Sequence, residues 1–174
     1  MLEKVKTMIE MYHLSPLPVE NTLFVSTWRS QQEFSDGSPV GTAMIGLYTS
    51  DPPSFSRFHK LPVDEVWHFY GGDPLRLILL LPDGSSKEEI LGQDLQKGQR
   101  VQLVIPAGVW QAGTLVDGGE YCLYGCTMAP GFTGSMFVGG TKSKLLPLYP
   151  DRINEISLMA CPENETNMPE GFSK

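Results

Sequence analysis

Cysteine is scarce in this chain of 174 residues: Cys122, Cys126 and Cys161 are its only three. Three cannot form a disulfide framework without leaving one over, and no second pair stands at zinc-site spacing. Basic charge is also short. Lys and Arg total 13 against 20 Asp and Glu, a formal net of -7, with no basic cluster. Such a surface repels phosphate backbones and anionic lipid, so neither nucleic acid nor a membrane is expected as a partner. No apolar run approaches the ~20 residues of a membrane-spanning helix. The opening MLEKVKTMIEMYHL lacks the apolar core and small-residue cleavage site of a secretory signal, so a cytoplasmic chain is the expectation. There is no Gly-x-Ser-x-Gly elbow and no dinucleotide glycine fingerprint. The stretch Gly139-Gly140-Thr141-Lys142-Ser143 fails as a phosphate loop, because Thr141 and not glycine precedes the lysine.

Glycine and proline are plentiful, at 18 and 14. Most of them separate short apolar runs: 23–28, 42–49, 65–70, 75–81, 101–105 and 121–128. The runs are rich in β-branched and aromatic residues, and Asp-Gly and Gly-Gly pairs punctuate them. Many short strands with no helical pattern between them predict an all-β sandwich or barrel, not a parallel α/β sheet. Leu2, Val5, Ile9 and Tyr12 recur at helical spacing, which predicts one amphipathic helix over 2–13, ended by Pro16 and Pro18. One domain over 1–160 is expected, followed by a polar, flexible tail over 161–174, CPENETNMPEGFSK.

Two windows could carry chemistry. In SRFHKLPVDEVWHFYGG (56–72), His59, Glu65 and His68 are set among core-like residues. A carboxylate inside a barrel is costly unless it is paired, hydrogen-bonded or metal-bound. An ion pair of Glu65 with Arg57 or Lys60 is the bland alternative. Strict alternation puts Glu65, Trp67 and Phe69 on one face and Val66, His68 and Tyr70 on the other. In GQRVQLVIPAGVWQAG (98–113), Trp110 and Gln111 open a strand after a Pro106–Gly108 turn, and either could be plain core or plain surface.

These windows resemble the two motifs of the cupin superfamily. The first motif is similar in His59-Lys60-Leu61, three residues, Glu65, six residues, Gly72; the second in Pro106-Ala107-Gly108, two residues, Gln111. The resemblance is closer to the cupin-5 group, through RFH-x-L-x-x-DE-x-WHFY-x-G-DPL at 57–75, PAG-x-WQ at 106–111 and CT-x-APGF at 126–132. Glu20, Phe24, Thr27, Arg29 and Ser30 resemble that group's first-strand motif, with Asn21-Thr22 in place of a double glycine. The resemblance implies a single cupin barrel (double-stranded β-helix, or jelly roll) carrying an N-terminal helix. It also implies a small-molecule ligand or substrate and a homodimer, with Leu23 and Val25 near the contact.

Metal-dependent cupins share three histidines and a glutamate. Here His59 and Glu65 carry over, Leu61 stands at the second histidine and Gln111 at the third. The metal set would then be His59, Glu65 and Gln111, holding zinc, nickel, iron or manganese for lyase or dioxygenase chemistry. Such a set is poor, since a leucine cannot ligate and an amide is a weak ligand. The expected state is therefore without cofactor, as in the metal-free cupin ketosugar epimerases that this pocket resembles. By that resemblance His59 is the general base, Glu65 orients it, and Tyr70 or Tyr124 is the acid. Arg57, Lys60 and Gln111 would polarise a carbonyl. Phe58, Trp67, His68 and Trp110 would line the substrate site. A non-catalytic binding module remains the other alternative.

Overall fold

A computed structural model describes residues 2–173. Helix α1 (Glu3–Tyr12) precedes strands β1 (Ser15–Pro16), β2 (Leu23–Arg29), β3 (Thr42–Thr49), β4 (Ser56–Lys60), β5 (Glu65–Gly72), β6 (Leu75–Leu80), β7 (Ser86–Leu91), β8 (Gln102–Ile105), β9 (Trp110–Leu115), β10 (Tyr121–Met128) and β11 (Val138–Gly139). Short helices α2 (Lys142–Leu145) and α3 (Ile153–Met159) follow. The strands form two antiparallel sheets, ordered β1-β2-β3-β10-β5-β8 and β11-β4-β9-β6-β7. This is the two-sheet cupin barrel. Every apolar run singled out above lies on a strand. Strand β7, SKEEIL, has no such signature because it is an edge. Its one strand partner is β6, with a single bridge from Leu91 to Arg100 on the other side, and its Glu88 and Glu89 reach Arg76 and Arg100. Charge along an edge blocks pairing with other chains.

The sheets face each other across a core of Tyr48, Trp67, Phe69, Leu75, Leu77, Leu79 and Tyr124. The Tyr124 ring stacks on Trp67 at 4.8 Å and 8° and tilts against Tyr48 at 4.7 Å. Gly46 makes room for it: a Cβ there would stand 2.2 Å from Cζ of Tyr124. Gly46→Ala is therefore expected to cost about 1–3 kcal/mol by overpacking. Urea denaturation will read this as a lowered midpoint at unchanged slope.

Strand β4 is irregular. Ser56 pairs with Gly113 and His59 with Gln111, so β4 carries one residue more than β9 over the same interval. This β-bulge turns both Arg57 and Phe58 outward and sets Ser56 and His59 inward. Outside the sheet, Phe58 packs with Ile78, Leu80 and Trp110 beneath Leu145 of α2 and Ile156 and Met159 of α3.

Leu23 and Val25, expected near a dimer contact, are half-buried against α1 in the cluster of Val5 and Leu14. One expectation changes here. Residues 161–173 are not a loose tail. Thr141 bridges Cys161, Gly139 N–H donates to the Thr166 carbonyl at 2.7 Å, and Met168 is buried with Leu17 and Phe137. A mostly polar segment docks because its few apolar side chains, Met168 and Phe172, find apolar partners.

Candidate functional site

A cavity of about 360 Å³ opens between the sheets, lined chiefly by apolar side chains including Phe24, Met44, Leu61, Met128, Phe132 and Phe172. Its polar lining includes Glu20, Arg29, His59 and Glu65. That volume lies at the small end of the ~300–1,000 Å³ of ligand pockets. Phe172 closes one side, 6.0 Å from Phe24 and 6.5 Å from Phe132.

His59 is buried, 3% exposed, and stacks on Phe137 at 5.1 Å. Its Nδ1 stands 2.8 Å from the Arg57 carbonyl oxygen. A carbonyl only accepts, so Nδ1 carries the proton and Nε2 is left with a lone pair in the neutral ring. Burial holds His59 below its ordinary value of 6.5, against the opposing charge of Glu65. The bulge makes this geometry, since the carbonyl that fixes the tautomer belongs to a bulged residue.

Glu65 opens β5, and its Oε2 accepts from Gln111 Nε2 at 2.7 Å and from Trp67 Nε1 at 2.9 Å. The Trp67 indole also reaches Gln111 Oε1 at 3.0 Å. Gln111 and Trp67 thus hold the carboxyl group and do not line the cavity. Burial pushes Glu65 above the usual carboxylate range, and the charge of His59 opposes this.

Glu20 belongs to this cluster, although the sequence marked it only as part of a first-strand resemblance. It sits in the loop before β2, flanked by Val19 and Asn21 at φ 68° and 71°. Its Oε2 comes within 3.7 Å of His59 Nδ1. This is not an ion pair, because the Nδ1 proton points to Arg57 and burial pushes Glu20 up to about 8. The Ser56 hydroxyl lies against Glu20 and pulls the other way. Behind it Tyr48 donates to Ser56 Oγ at 2.7 Å. Tyr124 shares a 2.9 Å hydrogen bond with Thr22.

Several expected site residues lie elsewhere. Tyr70 is 49% exposed on the outer face of β5, where alternation puts it. His68 shares that face, bonded to Thr127 Oγ1 at 2.9 Å and Gln102 at 3.1 Å. Tyr124 is buried behind Trp67 and outside the cavity lining. The bulge and the outer helices take Arg57, Phe58, Lys60 and Trp110: Arg57 donates to the Ala160 carbonyl, and Lys60 lies over the Trp110 ring at 4.8 Å. Of the expected set, His59 and Glu65 reach the cavity. Cys126 also lines it, but burial and the charges of Glu65 and Glu20 push its thiol well above 9, so it is a poor nucleophile.

The donor set does not fit a metal. Among the described residues no group of three or more His, Cys, Asp or Glu is placed to hold one. Leu61 offers no ligand atom, the Gln111 oxygen is taken by Trp67, and one Glu65 oxygen already accepts twice. No described helix is long and apolar enough to cross a membrane.

The two-sheet barrel, with an inward histidine on β4 and glutamate on β5, defines a cupin. Residues 6–138 match the family described as Cupin superfamily (DUF985), and the chain belongs to that family. It is 28% identical to protein SO0799 from Shewanella oneidensis, with a TM-score of 0.83 over 91% of this chain and 98% of that one. A hypothetical protein from Leishmania major is 26% identical, with a TM-score of 0.80 over 90% and 98%. An uncharacterized Saccharomyces cerevisiae protein, YML079W, is 27% identical over 124 residues, or 68% of this chain. The match spans 61% of that curated relative's length.

Proposed function

We propose that this cupin is an isomerase-type enzyme that moves protons on a small enolisable carbonyl compound without a metal. One observation carries the reading: the Arg57 carbonyl holds the Nδ1 proton of His59, which leaves Nε2 as a free base in an apolar cavity. Nε2 takes a proton from the carbon next to the carbonyl. The C–H electron pair becomes the enol double bond, and the carbonyl π pair takes a proton from Glu20 to form the enol hydroxyl. His59 returns its proton to that carbon on either face while the enol hydroxyl gives its proton back to Glu20, which re-forms the carbonyl and both starting side chains. Where that carbon also carries a hydroxyl, protonation of the neighbouring enediol carbon with loss of that hydroxyl's proton to Glu20 moves the carbonyl by one position. A carboxyl group that stays protonated to about 8 is a fitting acid at neutral pH. Glu65, fixed by Trp67 and Gln111, sets the field around the imidazole. The ligand is a small molecule.

The test is solvent deuterium wash-in. With 2-hexanone and 5-oxohexanoate in D2O, the protein should speed exchange at the carbons beside the ketone, before and after exhaustive chelation alike. Exchange that chelation abolishes would overturn the reading in favour of a metal enzyme. Exchange no faster than with boiled protein in both compounds would overturn it in favour of a binding module.

A further inference from the structure

Resting on that reading for what happens at its far end, we propose that the ligand is a small monocarboxylate with an apolar body, its carboxylate held by Arg29.

Arg29 ends β2 and lines the cavity. Strand register puts it on one rung with the catalytic end: Arg29 pairs with Thr42, Thr42 with Met128, and Met128 with Glu65. All of these residues line the cavity. Strands β3 and β10 lie between Arg29 and Glu65. At about 4.8 Å per strand, their backbones stand about 14 Å apart. Apolar Met44 and Met128 floor the interval. The cavity thus has a cation at one end, an acid–base pair at the other and hydrocarbon between.

The guanidinium lacks a full set of partners. Its Nη1 is buried with no acceptor. Its Nη2 has only Glu33 at 3.6 Å, and that carboxylate is 51% exposed on a surface loop. A buried charged donor left unpaired is costly, and an incoming oxyanion relieves that cost. With His59 neutral, Arg29 is also the only cation among the lining residues.

The chemistry favours carboxylate over phosphate. The planar fork of arginine accepts both oxygens of a carboxylate. A doubly charged phosphate would meet a single arginine on a chain of net charge -7. Size agrees: 360 Å³ is room for about a dozen water-sized groups at ~30 Å³ each.

Binding and exchange separate this inference from the proton-transfer reading. Hexanoate, 1-hexanol and hexyl phosphate are titrated by NMR into the wild type, Arg29→Met and Arg29→Lys. Hexanoate should bind best to the wild type and at least tenfold more weakly to Arg29→Met. 1-Hexanol should bind all three alike. Arg29→Lys, which keeps the charge and loses the fork, should fall between and guards against misfolding of the methionine variant. Equal hexanoate binding by all three proteins overturns the anchor, and tighter binding of hexyl phosphate overturns the choice of carboxylate. Wash-in into 2-hexanone as fast as into 5-oxohexanoate overturns the anchor while the proton-transfer reading stands. Arg29-dependent hexanoate binding without any wash-in upholds the anchor and removes that reading.

Discussion

His59→Asn is expected to slow deuterium wash-in by about 10²–10⁴-fold, the range set by loss of a positioned general base. The asparagine amide can still donate to the Arg57 carbonyl as Nδ1 does, so the local backbone keeps its partner. Only the basic nitrogen and the stack on Phe137 are lost. Stability should change by less than about 2 kcal/mol, within the range of ordinary buried substitutions. A folded variant that exchanges as fast as wild type would remove His59 from the mechanism. The wild-type pH profile should be bell-shaped. Its acid limb lies below 6.5, because burial lowers His59, and its alkaline limb lies near 8, where Glu20 loses its proton.

Glu20→Gln is expected to flatten the alkaline side of the stability profile. The folded chain holds the Glu20 proton to about 8, whereas the unfolded chain releases it near 4.5. Between those values the folded state binds more protons, so stability falls as pH rises and levels off above about 8. Each pH unit is worth about 1.4 kcal/mol, so over the interval from 4.5 to about 8 the cost of ionising Glu20 reaches about 5 kcal/mol. Glutamine never ionises. The variant should match wild type near pH 5 and exceed it by several kcal/mol near pH 9 by urea denaturation. His59 acts with the opposite sign. Its lowered value gives stability that is present above 6.5 and lost as pH falls, so just below 6.5 the two slopes oppose each other, and from 6.5 to about 8 the Glu20 loss acts alone. Parallel profiles for the two proteins would show that Glu20 is ionised and solvated in the folded state.

The sequence made the fold legible because its signals are local. Each apolar run between turn pairs became a strand, and the alternation in 65–70 correctly turned Glu65 inward and His68 and Tyr70 outward. His59 and Glu65 were legible through motif spacing. What stayed hidden depends on contacts between distant segments. Nothing in SRFHK announces a bulge, so Arg57, Phe58 and Lys60 read as site residues until the pairing with β9 places them outside. Glu20 stands in the sequence only as part of a first-strand resemblance; the closing of its loop over β4, where Arg57 N–H donates to the Glu20 carbonyl, buries it. Phe172 sits in a polar stretch, and no local pattern marks it as cavity wall.

The bulge in β4 has a consequence for how this chain can vary in length. Side chains alternate along a strand, so adding or removing one residue exchanges its two faces. A single-residue deletion between Ser56 and His59 would abolish the extra residue and turn either the imidazole or the Phe58 ring to the wrong side. Losing the ring would unseat α2 and α3, and losing the imidazole would empty the base position. The exposed stretch 31–37 contributes nothing to the cavity wall. Related chains should therefore differ more in length within 31–37 than in the 56–59 interval, a pattern that an alignment of homologues would display as gaps in one segment and none in the other.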